Sequence, residues 1–125
     1  MAAKQKIARP RRGEVYLVAF DPTLGAEIRK TRPALILQND IANRSSPITI
    51  VAAITTKFDE ELYPTEVLVR APEGGLDIDS VILLNQIRSV DRSHLRRRIG
   101  RLMPETIRLV DRALMLSLGL VELSG

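Results

Sequence analysis

The chain has no cysteine and no tryptophan, and only one histidine, two phenylalanines and two tyrosines among 125 residues. Without cysteine there are no disulfides, iron–sulfur clusters, thiol catalysis or Cys-ligated zinc. A single histidine, His94, excludes a multi-histidine metal site and would force any Ser-His-Asp arrangement through one ring. With so few aromatics the core must be Val, Ile, Leu and Ala, and base-stacking platforms for nucleic acid have little to draw on. No apolar run approaches the roughly 18 residues of a membrane span. The Lys/Arg-rich start is followed by no apolar signal core. These absences predict a cytoplasmic protein with no membrane partner.

What is present fits one folded domain: 45% hydrophobic and 27% charged residues in 13.9 kDa. The net charge of +4 is unevenly spread. Residues 1–12 hold five basic side chains and no acid, residues 13–87 hold six basic against eleven acidic, and residues 88–112 hold eight arginines against three acids. Two basic ends around an acidic middle point to a local polyanion patch, or else to arginines that solvate a surface strand and helix.

Residues 1–11 read as a flexible basic extension, and residues 12–123 as a single domain. Strand character follows at Glu14–Phe20, Ala34–Leu37, Ile48–Ile54, Thr65–Val69, Ser80–Val90 and Arg98–Leu102, with Asp21-Pro22, Asn39-Asp40 and Gly74-Gly75 as breaks. The unbroken apolar run at Ala34–Leu37 fits a strand covered on both faces. Pro104, Glu105, then Ile107, Val110, Leu114 and Leu118 at helical spacing, and Gly119 beyond them, predict a C-terminal helix of about 14 residues. Strands joined by turns and followed by one helix favour a mainly β, α+β fold, a curved antiparallel sheet or small barrel. The connections at 21–31 and 56–64 exceed a hairpin's needs and are candidate functional loops.

The most specific signal is a series of short motifs in order: Arg12-Gly13-Glu14-Val15-Tyr16, Asp21-Pro22 with Gly25 and Glu27, Thr31-Arg32-Pro33, Gln38-Asn39-Asp40, Asn43-x-Ser45-x-Pro47, Ile54-Thr55, Ser80–Leu83, Gln86-Ile87-Arg88 and Ser117-Leu118-Gly119-Leu120. This series resembles the MazF/PemK-like toxins of bacterial toxin–antitoxin modules over about residues 11–123. The resemblance implies an SH3-like antiparallel barrel of the MazF/PemK/CcdB-like kind with a C-terminal helix. It also implies a homodimer that cuts single-stranded RNA at short sequences, without metal or other cofactor, by attack of the ribose 2′-OH.

With an internal nucleophile, the protein must position the phosphate and stabilise charge. Arg32 is the first candidate: its guanidinium is a planar fork of donors that stays charged, and Pro33 biases it toward extended backbone. The family credits this arginine with acid–base work, but a group with pKa above about 12 is a poor base, so electrostatic stabilisation is the sounder assignment. Thr55, at a strand end, can donate to a phosphate oxygen. Glu27 can orient Arg32, accept from a base edge or take the 2′-OH proton. Arg29, Lys30, Gln86, Asn85 and Thr56 are candidate RNA contacts, and Thr56 should point away from Thr55. Asn85 departs from the acid common in relatives, and Arg29-Lys30 from a glycine. His94 reads as a structural or surface residue.

The partners implied are single-stranded RNA and a cognate antitoxin with an acidic, disordered segment, the toxin–antitoxin complex being one that could bind operator DNA. Two rival readings remain at this stage: a non-catalytic RNA- or DNA-binding module, and a gyrase-poisoning toxin of the same fold.

Overall fold

A computed structural model describes residues 8–20 and 31–123. In chain order the elements are β1 (Glu14–Ala19), β2 (Thr31–Ile36), α1 (Asp40–Ser45), β3 (Ile48–Thr55), β4 (Glu66–Val69), β5 (Ser80–Asp91), β6 (Leu95–Arg101) and α2 (Pro104–Ser117). Single 3-10 turns at Glu73–Gly75 and Arg92–His94 flank β5. The expected strands and C-terminal helix are present, with β2 and β6 each starting three residues earlier than the apolar pattern indicates. One element was not expected. Asn39-Asp40, read as a strand stop, instead opens the short helix α1, because the Asn39 side chain accepts the Ala42 N–H and serves as its N-cap.

All strand pairs are antiparallel, in the order β4-β5-β3-β2-β1-β6. Strands alternate their side chains, and in β1, β2 and β3 both faces are buried. Val15, Leu35, Ala52 and Ile54 join a cluster with Val67, Ile82, Leu84 and the helix residues Val110 and Ala113. On the other face Tyr16, Val18, Ala34, Ile36 and Val51 pack with Val90 and Leu95. This is why the central strands read as unbroken apolar runs.

The barrel expected from the sequence is not closed: β4 and β6 are the two ends of the described sheet and do not pair. The connection after β4 packs on β6. It turns through left-handed Gly74 and Gly75 and lies directly on β6, so that a Cβ on Gly75 would run into the Ile99 carbonyl and one on Gly100 into the backbone of Gly74 and Gly75. Helix α2 contacts β4 and β5 through Val110, Ala113 and Thr106, flanked by Ile107 and Leu114. Leu118, expected on that stripe, is exposed, since the helix ends at Ser117. There Gly119, at positive φ, sends its N–H to Leu116 and Leu120 sends its own to Met115, a Schellman ending.

Gly75→Ala should lose more than about 2 kcal/mol in urea denaturation, combining left-handed strain with the clash on Ile99. Gly119→Ala, with the same sign of φ but open space around it, should lose only about 1–2 kcal/mol. Equal losses at the two positions would show that the close approach to β6 contributes nothing.

Candidate functional site

The antiparallel register of β2 on β3 pairs Ala34 with Ala53. The ladder ends there, and its register, if continued two residues further, would set Arg32 opposite Thr55. By alternation both then lie on the face that carries Ala34 and Val51. Pro33, which has no N–H to give to a ladder, falls where the pairing of β2 with β3 stops. On the other side of β3, β5 is irregular: Ala53 pairs with Leu83 but Ala52 with Ile87, leaving Leu84, Asn85 and Gln86 as a bulge. That bulge re-aims its residues.

The result is a cleft of about 300 Å³ lined by Phe20, Arg32, Pro33, Ala53, Ile54, Gln86, Ile87 and Arg88. The small Ala53 forms part of its floor, where a Leu or Ile would fill it. Among the described residues no carboxylate lines the cleft, and Arg32 and Arg88 are both exposed. An acid-free slot between two guanidiniums suits a polyanion.

Of the candidate residues, Arg32 and Gln86 meet in this cleft. Thr55 stands at the end of β3 beside it and is half-buried. Its hydroxyl accepts the Lys57 N–H at 3.1 Å and donates toward the Lys57 carbonyl at 3.4 Å. Thr56 is exposed in the bend that follows. Asn85 is separated from its neighbour Gln86. It lines a second cleft with Tyr63, Pro64, Thr65, Leu116, Val121 and Leu123, because the bulge turns the two side chains to different sides. His94 sits in the 3-10 turn between β5 and β6 and does not line the cleft. Glu27, Arg29 and Lys30 lie outside the described residues.

Sequence reasoning did not single out Phe20 and Arg88. The Arg88 guanidinium carbon lies over the Phe20 ring, 5.1 Å from its centroid. The signal for Arg88 was its two-residue spacing from Gln86 on one strand. For Phe20 no sequence signal exists, since a terminal strand aromatic reads as core.

Some of the arginines of the basic ends have structural work. Arg12 donates to the Leu37 carbonyl at 2.8 Å and pairs with Asp111 at 2.7 Å. Arg92 donates to the carbonyls of Ala8 and Ser46, and Arg98 pairs with Glu14 at 2.7 Å. These arginines fasten the chain's ends to the sheet, and they hold Ala8–Arg11, expected as part of a flexible extension, against the domain.

Another part of the motif series is likewise structural. Buried Asn43 accepts from the Gln38 amide and the Thr49 hydroxyl, each at 2.9 Å, and donates to the Gln38 carbonyl at 2.9 Å and to Asp40 at 3.3 Å. Asp40 in turn accepts the Arg12 N–H at 2.7 Å. No buried side-chain polar atom among the described residues lacks a partner. The Arg12 N–H above all, with Asn43 and the charges of Arg11 and Arg44, holds the Asp40 carboxyl below its ordinary pKa against the opposing effect of burial.

Together, the antiparallel sheet, its C-terminal helix and an arginine-bearing cleft at the strand ends define a small α+β domain with a basic cleft. The model of the PemK-like, MazF-like toxins of type II toxin–antitoxin systems matches residues 11–118. Endoribonuclease EndoA of Bacillus subtilis (strain 168) is 45% identical over 112 residues, 90% of this chain and 97% of that protein. The fold is similar to that of MazF (Form-I) from Deinococcus radiodurans, with a TM-score of 0.71 and 26% identity over 90% of this chain and 98% of that one. It is also similar to a mycobacterial endoribonuclease in complex with its cognate antitoxin, with a TM-score of 0.74 and 24% identity over 90% and 98% of the two chains. This chain belongs to the PemK-like, MazF-like toxin family of type II toxin–antitoxin systems.

A carboxyl held below its ordinary pKa stabilises the fold fully above the unfolded value, roughly 3.9, and loses that contribution as pH falls through the lower folded value. Asp40→Asn should therefore lower the denaturation midpoint at neutral pH, and its gap from wild type should shrink toward pH ~2. A gap that stays constant over that range would mean that the Asp40 charge plays no part.

Proposed function

We propose that this toxin is a metal-independent, sequence-selective endoribonuclease of single-stranded RNA, with Arg32 and Thr55 at the scissile phosphate. The observation that supports it is the cleft that brings Arg32, Gln86 and Arg88 together without a carboxylate among the described residues, next to the β3 end that carries Thr55. In this reading the ribose 2′-oxygen attacks phosphorus and the bond to the 5′-oxygen breaks. One proton leaves the 2′-hydroxyl and one reaches the departing oxygen, giving a 2′,3′-cyclic phosphate and a 5′-OH. Because the nucleophile belongs to the substrate, no metal-bound water or other cofactor is required.

Arg32 stabilises the charge that builds on the non-bridging oxygens of the pentacoordinate transition state. The Thr55 hydroxyl has only a long 3.4 Å bond to give up and can swing its proton to the phosphate. Gln86 reads a base or positions a phosphate. Glu27 orients Arg32 or takes the 2′-OH proton, and Arg29, Lys30 and Thr56 add contacts from the two long loops. Asn85 contributes only where the RNA extends to the second cleft.

The name of EndoA and the antitoxin-bound mycobacterial structure support the same reading for activity and partner. The cognate antitoxin would place an acidic segment, disordered until bound, over the cleft and exclude RNA by charge and bulk, and the complex would bind operator DNA. No described helix is long and apolar enough to cross a membrane, which accords with action in the cytoplasm. The toxin acts as a homodimer: Leu118, Leu120 and Leu123 are exposed around the end of α2, beside the second cleft, and leave an apolar surface to cover.

Arg32→Ala should leave the fold intact and lower cleavage of a long RNA in EDTA by about 10²–10³-fold, the value of one preorganised charge donor. Arg32→Lys should restore little, since a point charge does not reproduce the fork. Near-wild-type cleavage by folded Arg32→Ala would remove Arg32 from the mechanism. Intact RNA with a gel shift from the wild-type protein would favour the non-catalytic binding module. Sedimentation at micromolar concentration should give twice the chain mass, and a single species at 13.9 kDa would refute the dimer.

A further inference from the structure

We infer that Arg88, shelved on the Phe20 ring, is a second phosphate-binding group of the cleft and grips the phosphate next to the one cut. This inference rests on the endoribonuclease reading above and adds a subsite to it. Arg88 pairs across from Val51 on β3, so it stands on the same face as Ala34, Ala53 and Arg32 but on the far side of β3. Arg32 and Arg88 therefore flank one slot from two strands.

The Phe20 contact sets what Arg88 can do. Its guanidinium carbon lies over the ring, 5.1 Å from the centroid, and Phe20, just past β1, packs against the cluster on the face that carries Ala34. Among the described residues Arg88 has no carboxylate partner, whereas Arg12, Arg70 and Arg98 all do. A guanidinium restrained by an aromatic ring keeps its N–H edge free, loses less rotamer freedom on gripping an anion, and suits a phosphodiester better than a lysine would. A cation held in the cleft with no carboxylate partner among the described residues is placed for ligand charge. A nucleobase stacking on the outer side of Arg88 is the competing use of the same shelf.

The test measures binding of an uncleavable 2′-deoxy analogue of a cleaved site, with one phosphate at a time replaced by an uncharged methylphosphonate. Arg88→Ala should weaken binding of the fully charged analogue about tenfold and lower the salt slope by about 0.7. It should also be insensitive to neutralisation of one phosphate adjacent to the scissile position, while remaining sensitive at the scissile phosphate itself. Phe20→Leu, which keeps an apolar support and removes the π face, should show the same pattern at smaller size. In turnover of the ribo-substrate both variants should raise KM more than they lower kcat. Equal sensitivity of wild type and Arg88→Ala at every phosphate would overturn the inference, and so would a penalty that follows removal of a base instead of a phosphate charge. Wild-type cleavage with no effect of Arg88→Ala would refute the subsite alone. A wild-type protein that neither binds nor cuts RNA would refute the endoribonuclease reading and the subsite with it.

Discussion

The register of β2 on β3 is the constraint on which the rest of this molecule depends, and two-sided burial enforces it. Slipping β2 by one residue would exchange Leu35 with Ala34 and Ile36 between two separate cores. A fully buried Leu or Ile is worth about 1.5–3 kcal/mol, whereas an exposed ion pair contributes about 0–1 kcal/mol. Apolar packing therefore decides the alignment, and the charges are carried into place by it. Arg32 is carried to the Ala34 and Val51 face, toward the cleft, because Leu35 and Ala52 must share one face and Ala34 and Val51 the other.

Within that frame the arginines divide into two groups. Arg12, Arg92 and Arg98 find fixed acceptors and join the ends of the chain to the sheet. Arg32 and Arg88 face a slot that no carboxylate lines among the described residues. The first group helps form the fold, and the second has no carboxylate partner among the described residues and stands where an anion can bind. A basic composition alone does not separate them, because the separation depends on where Glu14, Asp111 and the free carbonyls lie in space.

The bulge in β5 has a comparable effect on selectivity. By inserting Leu84, Asn85 and Gln86 between paired positions, it sends Gln86 to the arginine cleft and Asn85 to the apolar one near the end of α2. Two neighbours of similar chemistry thereby serve different surfaces, and the second cleft adjoins exposed leucines fit for protein contact.

Much of this was legible along the chain. The strand runs, the Pro104-to-Gly119 helix and its cap residues follow from local periodicity and backbone preference, which neighbouring residues settle among themselves. Arg32, Thr55 and Gln86 stood out through the ordered motif series, although that series also contained Gln38, Asp40 and Asn43, whose work is to satisfy one another around α1. Local pattern did not show that Asn39 caps a helix instead of ending a strand, that the described sheet stays open, that Gly74 and Gly75 lie on β6, or that Phe20 reaches Arg88. Those features join residues far apart in sequence through close packing, and the fit of volumes and the pairing of partners are decided only when distant segments compete for the same space. The sequence by itself determined the elements and the supply of charge, and the tertiary structure decided which charges were neutralised and which were left facing the cleft.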